Sequence, residues 1–193
     1  MIKKFKQDNI RIYDYLFVVT ILFFLLGMVN IVFSWLGIVC AVIPFIMVKR
    51  TGRKWWCQRY CPRGHLLTKL LKKWSLNLRL PKVFKDGSGK RILLTYFCVN
   101  MVMATLSTTG VLFGRAAPMA YVRLLMFFKA PFTLPQLITL PLPPAVLHMS
   151  YRLYSIMLTS TLLGLILGIL FRPRTWCTVC PIQTLTTEYM KKS

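Results

Sequence analysis

The chain has 193 residues, of which 56% are hydrophobic and only four are acidic, and its net charge is +22. Uncharged stretches cover 15–48, 92–114 and 153–171, and a membrane-spanning helix needs about 20 apolar residues. This pattern excludes an ordinary soluble domain and predicts an integral membrane protein. Because the basic residues lie beside the apolar stretches, they fit contacts with the lipid membrane, and we expect no nucleic-acid partner.

The first uncharged stretch predicts two helices rather than one. At about 1.5 Å per residue, a single helix over 15–48 would be much longer than the hydrocarbon core of roughly 30 Å. Asn30 and Gly37 favour a turn near its middle. We therefore expect helices near 13–32 and 35–50.

The second half of the chain predicts two further helices, over 92–113 and 152–171. Between them, 130–151 also lacks charge but contains five prolines, which break helices. We expect this segment to be re-entrant or to lie on the outer surface, with an interfacial helix over 116–129 before it. The predicted fold class is an all-α membrane protein whose four transmembrane helices form two tandem hairpins.

The distribution of Lys and Arg predicts how these helices are oriented. Of the 26 basic residues, 22 lie in the segments 1–12, 49–91 and 172–193, and four lie between 113 and 152. Basic residues collect on the cytoplasmic side of membrane proteins. We expect a multi-pass protein of the cell (inner or plasma) membrane with both termini in the cytoplasm.

The predicted organisation is a single membrane domain, 1–193, built from two repeats. Repeat 1 covers 1–81 and has a cysteine motif at 57–61, and repeat 2 covers 92–193 and has a motif at 177–180. Each motif follows a predicted outside-to-inside helix, so both are expected on the cytoplasmic face. Each also precedes a predicted short helix: 65–74 and 182–191.

The two motifs carry the chemistry of the chain. Cys57 and Cys61 enclose three residues, whereas Cys177 and Cys180 enclose two. Neither pair completes a four-thiolate site, but together the pairs supply the four ligands of a [4Fe–4S] cluster. Residues repeated around the motifs, or cationic, form the expected cluster environment: Lys54, Trp56, Arg59, Pro62, Arg63, Arg174, Trp176 and Pro181.

Two other kinds of site use the same cysteines. Four thiolates also bind structural zinc, and a Cys-x-x-Cys pair also forms dithiol–disulfide relays. A reducing cytoplasmic face opposes the relay. The remaining cysteines, Cys40 and Cys98, lie inside predicted helices away from the motifs and are expected to be packing residues.

The motifs Trp56-Cys57-x-x-x-Cys61-Pro62 and Trp176-Cys177-x-x-Cys180-Pro181 resemble those of the membrane-bound 4Fe-4S binding family. That family includes the quinol-dehydrogenase membrane subunit of periplasmic nitrate reduction and the membrane regulator of nitrous oxide reduction. The resemblance implies that the four motif cysteines bind a [4Fe–4S] cluster and that electrons pass to or from a quinone. The longer members carry a soluble ferredoxin or flavin domain that this chain lacks, so we expect a redox partner protein.

A quinone contact is considered near the outer end of the last predicted helix, at His148, Tyr151 and Arg152. The same three side chains also fit an interfacial histidine, an aromatic-belt tyrosine and a charge at a helix start. Catalytic residues are not evident, since the sequence has no Ser–His–Asp set, no paired acids and no phosphate loop. The sequence thus predicts an electron-transfer subunit with one cluster; the alternative is a non-redox scaffold or assembly factor with a zinc site, or a thiol–disulfide relay.

Overall fold

The computed structural model describes residues 2–72, 74–79, 81, 84, 87–125, 128–130, 134–138 and 141–192, and only the backbone of 2–14 and 192. The described chain is mostly helical, as expected for an all-α protein. Its α-helices, in chain order, are α1 (Ile2–Val29), α2 (Leu36–Thr51), α3 (Pro62–Leu71), α4 (Ser88–Leu112), α5 (Pro144–Leu170), α6 (Thr175–Val179) and α7 (Pro181–Lys192). A 3-10 helix (Ile31–Trp35) precedes α2, and a π-helix (Trp56–Tyr60) precedes α3.

Three helical stretches of the described chain are long and apolar enough to cross a membrane: Ile31–Thr51, Ser88–Leu112 and Pro144–Leu170. In α1, the described side chains form a shorter apolar helix, Tyr15–Val29. Three of the predicted spans are therefore confirmed by length and composition, and the fourth stays a prediction.

The predicted turn inside the first apolar run occurs at Asn30. The side chain of Asn30 accepts a hydrogen bond from the Val32 N–H at 2.9 Å and so caps the 3-10 helix. Ser34 then donates to the Ser150 carbonyl oxygen at 2.8 Å, and the Trp35 indole donates to the Ser150 hydroxyl at 2.9 Å. These bonds fix the α1–α2 hairpin against α5.

Two predictions for the segment before α5 are wrong. The described residues of this range, 116–125 and 128–129, form no interfacial helix; they contain an antiparallel pair of short strands, β1 (Arg123–Leu124) and β2 (Phe128–Lys129). The last long helix begins at Pro144 rather than at 152. Proline fits the first turn of a helix, where its missing N–H would have no intrahelical partner, so Pro144 starts the helix instead of breaking it.

Two clusters of buried apolar side chains hold the helices together. One joins the 3-10 helix, the segment before α5 and the first part of α5: Ile31, Met119, Val122, Ala130, Tyr151 and Tyr154. The other joins α3, α4 and α6: Leu67, Leu71, Phe97, Trp176 and Val179. Gly164 lets the second cluster approach α5, because an added Cβ would lie 3.1 Å from Leu67 Cδ1 and 3.2 Å from Trp176 Cγ. This second cluster includes residues of the second cysteine motif, and its members Leu67 and Leu71 belong to α3, which follows the first motif.

Candidate metal centre

The first motif begins where α2 ends. Gly52 caps α2 in the left-handed conformation, with φ +61°, which glycine adopts without strain. The chain then forms the π-helix Trp56–Tyr60, which holds Cys57 and ends at Cys61. Cys61 is extended, with φ −67° and ψ 108°, and Pro62 starts α3.

The second motif repeats this local structure with one residue fewer. Its first cysteine, Cys177, lies in the short helix α6, and Cys180 is extended with φ −56° and ψ 128° before Pro181 starts α7. Proline disfavours the helical conformation in the residue before it and is itself well placed at a helix start. The two Cys-Pro steps therefore impose the same turn on both halves of the chain.

The folded chain brings the two motifs together. The Cys57 thiol interacts electrostatically with the thiols of Cys61, Cys177 and Cys180. The sulfurs of Cys177 and Cys61 lie 3.6 Å and 3.8 Å from the point that a Cβ of Gly64 would occupy. Sulfurs separated by more than a hundred residues in the sequence thus lie around one glycine.

Burial keeps the thiols of Cys57 and Cys177 protonated in the metal-free chain. It raises the pKa of Cys57 to about 12, helped by the neighbouring cysteines, and raises the pKa of Cys177 to about 11. Thiolates are the form that binds metal, so binding must release protons. For Cys180, burial also raises the pKa, while the backbone N–H groups of Gln183 and Ile182 hydrogen-bond the sulfur and oppose that rise.

Three of the predicted environmental cations act on the thiols. Burial dominates the raised pKa of Cys57, and Lys54 opposes that rise; its ammonium donates to Thr187 Oγ1 at 2.7 Å. Arg63 opposes the rise in the pKa of both Cys177 and Cys180, and Arg174 opposes it for Cys177. These positive charges favour the ionised sulfurs.

The position of Arg63 is fixed by α5. Its Nη1 donates to Ser160 Oγ and its Nη2 donates to Met157 Sδ, each at 2.8 Å. Arg59, the fourth predicted cation, is exposed, and its guanidinium lies 4.5 Å from the centre of the Trp55 ring.

The twin tryptophans have different surroundings. Trp176 is only 2% exposed and packs edge-on against Phe97, with ring centres 6.2 Å apart. Trp56 is half-buried and stacks on Tyr60 at 6.3 Å, within its own π-helix. The second motif is therefore part of the protein core, whereas the first lies against it.

Cys40 is closer to the site than the sequence suggests. It interacts electrostatically with Arg63, Cys61 and Cys180. It also lines an apolar cavity of about 300 Å³ between α1, α2 and α5, together with Trp56 and other residues that include Pro62, Arg63 and Met157. The expectation that Cys40 lies away from the motifs is wrong. Its neighbours come from distant parts of the chain, so no local spacing in the sequence could have revealed it.

The residues considered for a quinone contact lie elsewhere. His148 Nδ1 accepts the backbone N–H of Met119, and Nε2 lies 3.0 Å from Ser107 Oγ, so both ring nitrogens have partners. Tyr151 is buried in the first apolar cluster. The buried Nε of Arg152 has no hydrogen-bond partner among the described residues and lines a cavity of only about 20 Å³. A quinone contact at these residues stays a prediction.

The four motif cysteines are donors of the type that a four-thiolate cluster uses, and the Cys61 and Cys177 sulfurs near Gly64 and the backbone N–H groups at Cys180 agree with such a group. All six cysteines are free thiols. Within the described part of the chain, no group of three or more His, Cys, Asp or Glu side chains is arranged to hold a metal ion. In comparisons with protein families, curated proteins and solved structures, the chain matches none.

Proposed function

We propose that the protein is a membrane electron-transfer protein that carries one [4Fe–4S] cluster on Cys57, Cys61, Cys177 and Cys180. It relays electrons between a quinone pool, or a redox partner, and another protein. The observation that carries this proposal is that Cys61 and Cys177, from motifs far apart in the sequence, place their sulfurs around Gly64, with Cys57 and Cys180 close enough to interact electrostatically with them. The resemblance of both motifs to those of membrane-bound 4Fe-4S binding proteins agrees with it.

The residues around the thiols suit this role. When bound, a cluster of this kind takes up and returns one electron at a potential set by charge, hydrogen bonds to sulfur and exposure to water. Arg63 and Lys54 supply positive charge, and the N–H groups that follow Pro181 donate to the Cys180 sulfur. The buried Trp176 and Val179 keep water from the second motif.

The apolar cavity supports a quinone as one electron partner. Its wall includes Trp56 and Pro62, which adjoin the two cysteines of the first motif, so a ligand there would lie close to the thiols. Cavities that bind small molecules are mostly apolar with a few polar groups, and Arg63 supplies such a group here. In this proposal the protein lies in the cell membrane, with both motifs and both termini facing the cytoplasm.

Anaerobic purification in detergent tests the function. The proposal predicts about four irons and four sulfides per chain and a broad absorbance near roughly 400 nm that bleaches on reduction with dithionite. Zinc measured in the same samples provides the comparison, because a structural zinc site uses the same donors.

The two alternatives give different results. A colourless protein with one tightly bound zinc would support a scaffold or assembly factor and refute electron transfer. A metal-free protein whose cysteines switch between dithiol and disulfide as the potential changes would support a thiol–disulfide relay instead.

A further inference from the structure

An open cleft borders the first cysteine motif. It has a volume of about 470 Å³, and we name it the motif cleft; its lining residues are Gly52, Arg53, Lys54, Trp55, Gln58, Arg59 and Met190. The cleft joins the turn after α2 to the last turns of α7. Gln58 and Arg59, which lie between the two cysteines of the first motif, are both exposed. One wall of the cleft is therefore formed by residues of the first motif.

The motif cleft is positively charged without compensation. Arg53, Lys54 and Arg59 line it, and among the described side chains no acidic residue does. Among the described side chains the one acid is Glu188, which pairs with Lys191 at 3.4 Å. The described surface offers no acid to neutralise the three cations, so an anionic partner can do so.

Two of these cations are held in place by the protein. The Lys54 ammonium donates to Thr187 Oγ1, and the Arg59 guanidinium stacks on Trp55. Side chains that are already ordered lose less conformational entropy when a partner binds. By contrast, Lys49 and Arg50 in the last turn of α2 are exposed and outside the cleft, where they suit contacts with lipid headgroups.

We propose that the motif cleft is the docking site of an acidic, soluble electron-carrier protein. This inference rests on the proposed function, because it assigns the partner that exchanges electrons with the cluster. Complementary charge speeds the encounter of two proteins and sets their orientation. Docking here would bring the carrier against Gln58 and Arg59, which lie between Cys57 and Cys61 in the chain.

Electron exchange with a charged probe tests the inference. The protein is loaded with its cluster, placed in neutral phosphatidylcholine nanodiscs and reduced. It is then mixed with an acidic flavodoxin or, for comparison, with basic cytochrome c, and the rate of electron transfer is expressed per cluster. We expect the unsubstituted protein to transfer electrons to flavodoxin about tenfold faster at low salt than the Arg53→Glu and Arg59→Glu variants do. This rate should fall as salt rises. The exposed Arg79, which does not line the cleft, provides the matched control Arg79→Glu, for which we expect little change.

The possible results distinguish failure of this docking site from failure of the proposed function. If the cluster is present but the rate with flavodoxin ignores both cleft variants and salt, the docking site is refuted and the proposed function stands. If the cleft variants lose binding only to phosphatidylglycerol vesicles, the cleft binds lipid and the inference is again refuted. If no cluster is present, the proposed function fails and this carrier assignment fails with it.

Discussion

The two cysteine motifs have nearly the same sequence but occupy different environments. The second motif is part of the apolar core, where Trp176 and Val179 are buried. The first motif is a π-helix that borders an open cationic cleft, and its tryptophan is half-buried. In the proposed function, the second motif anchors the site and the first motif exposes it to partners.

The number of residues between the two cysteines differs by one between the motifs, and the backbone conformation differs to accommodate this. Trp56–Tyr60 is a π-helix, whereas Thr175–Val179 is an α-helix. A π-helix has wider turns than an α-helix and accommodates an extra residue, often at functional sites. Both motifs still end in an extended cysteine before a helix-starting proline. The irregular spacing is therefore compatible with one shared site.

The largest effect is expected from replacing the motif cysteines. Cys→Ser at Cys57, Cys61, Cys177 or Cys180 should abolish the absorbance near about 400 nm, because the remaining thiols cannot complete a four-thiolate site. Cys98→Ser is the control, since Cys98 is exposed on α4. Normal iron content in any one of the four variants would remove that residue from the ligand set.

The twin tryptophans should differ most in their contribution to stability. Truncating a buried tryptophan costs about 3–5 kcal/mol, so Trp176→Ala should lower the free energy of unfolding by that order. Trp56→Ala should cost only about 1 kcal/mol, because Trp56 is half-buried. Thermal unfolding of the metal-free proteins in detergent measures both. Equal losses of stability would contradict the division into anchored and exposed motifs.

A substitution at Gly64 should affect binding of the cluster without affecting folding. In the metal-free protein, an alanine Cβ there would make ordinary contacts with the Cys177 and Cys61 sulfurs at 3.6 Å and 3.8 Å. With a cluster between those sulfurs, the same methyl group would occupy needed space. Gly64→Ala should therefore keep the melting temperature of the metal-free protein but lower the iron content several-fold. Unchanged iron content would show that the cluster does not lie beside Gly64.

Cluster loading should depend on pH. Because burial raises the pKa of Cys57 to about 12 and that of Cys177 to about 11, both thiols are protonated near neutral pH and lose protons on binding. The fraction of chains loaded by reconstitution with iron and sulfide should rise between roughly pH 6.5 and 8.5. Free iron and sulfide are held constant as the control. A yield that falls over this range would contradict the protonation states inferred here.

The smallest effect is expected from shortening the first motif. Deleting Gln58 gives it the spacing of the second, and the π-helix should become an α-helix without moving the flanking helices. We expect at least about half of the iron content to remain, with replacement of Gln58 by Ala as the control. A loss as complete as in the cysteine variants would show that the wider spacing is required.

Much of the fold was predictable because it depends on local sequence. Long uncharged runs identified three helices that can span a membrane, and Asn30 marked the turn between α1 and the first of them through its capping side chain. The turns at Cys61 and Cys180 also follow from local sequence, because proline restricts the residue before it.

The remaining features depend on tertiary contacts or on position within an element. The prolines of 130–151 led to a predicted helix start at 152, which is wrong because Pro144 starts the helix. The place of Cys40 beside Cys61 and Cys180 follows from the packing of α2, and the different burial of Trp56 and Trp176 follows from the core around α6. Identical motif residues carry no information about which copy is buried.

Disulfide trapping tests most directly whether the two motifs share one site. In a metal-free protein that keeps only Cys61 and Cys177, with the other cysteines replaced by serine, mild oxidation should form a disulfide between them, detected by mass spectrometry after proteolysis. A protein that keeps only Cys61 and Cys98 gives the background. A cross-link well above that background is the predicted result. If Cys61 and Cys177 do not cross-link above it, or if they react with a membrane-impermeant thiol reagent from opposite sides of the membrane, the shared site is contradicted.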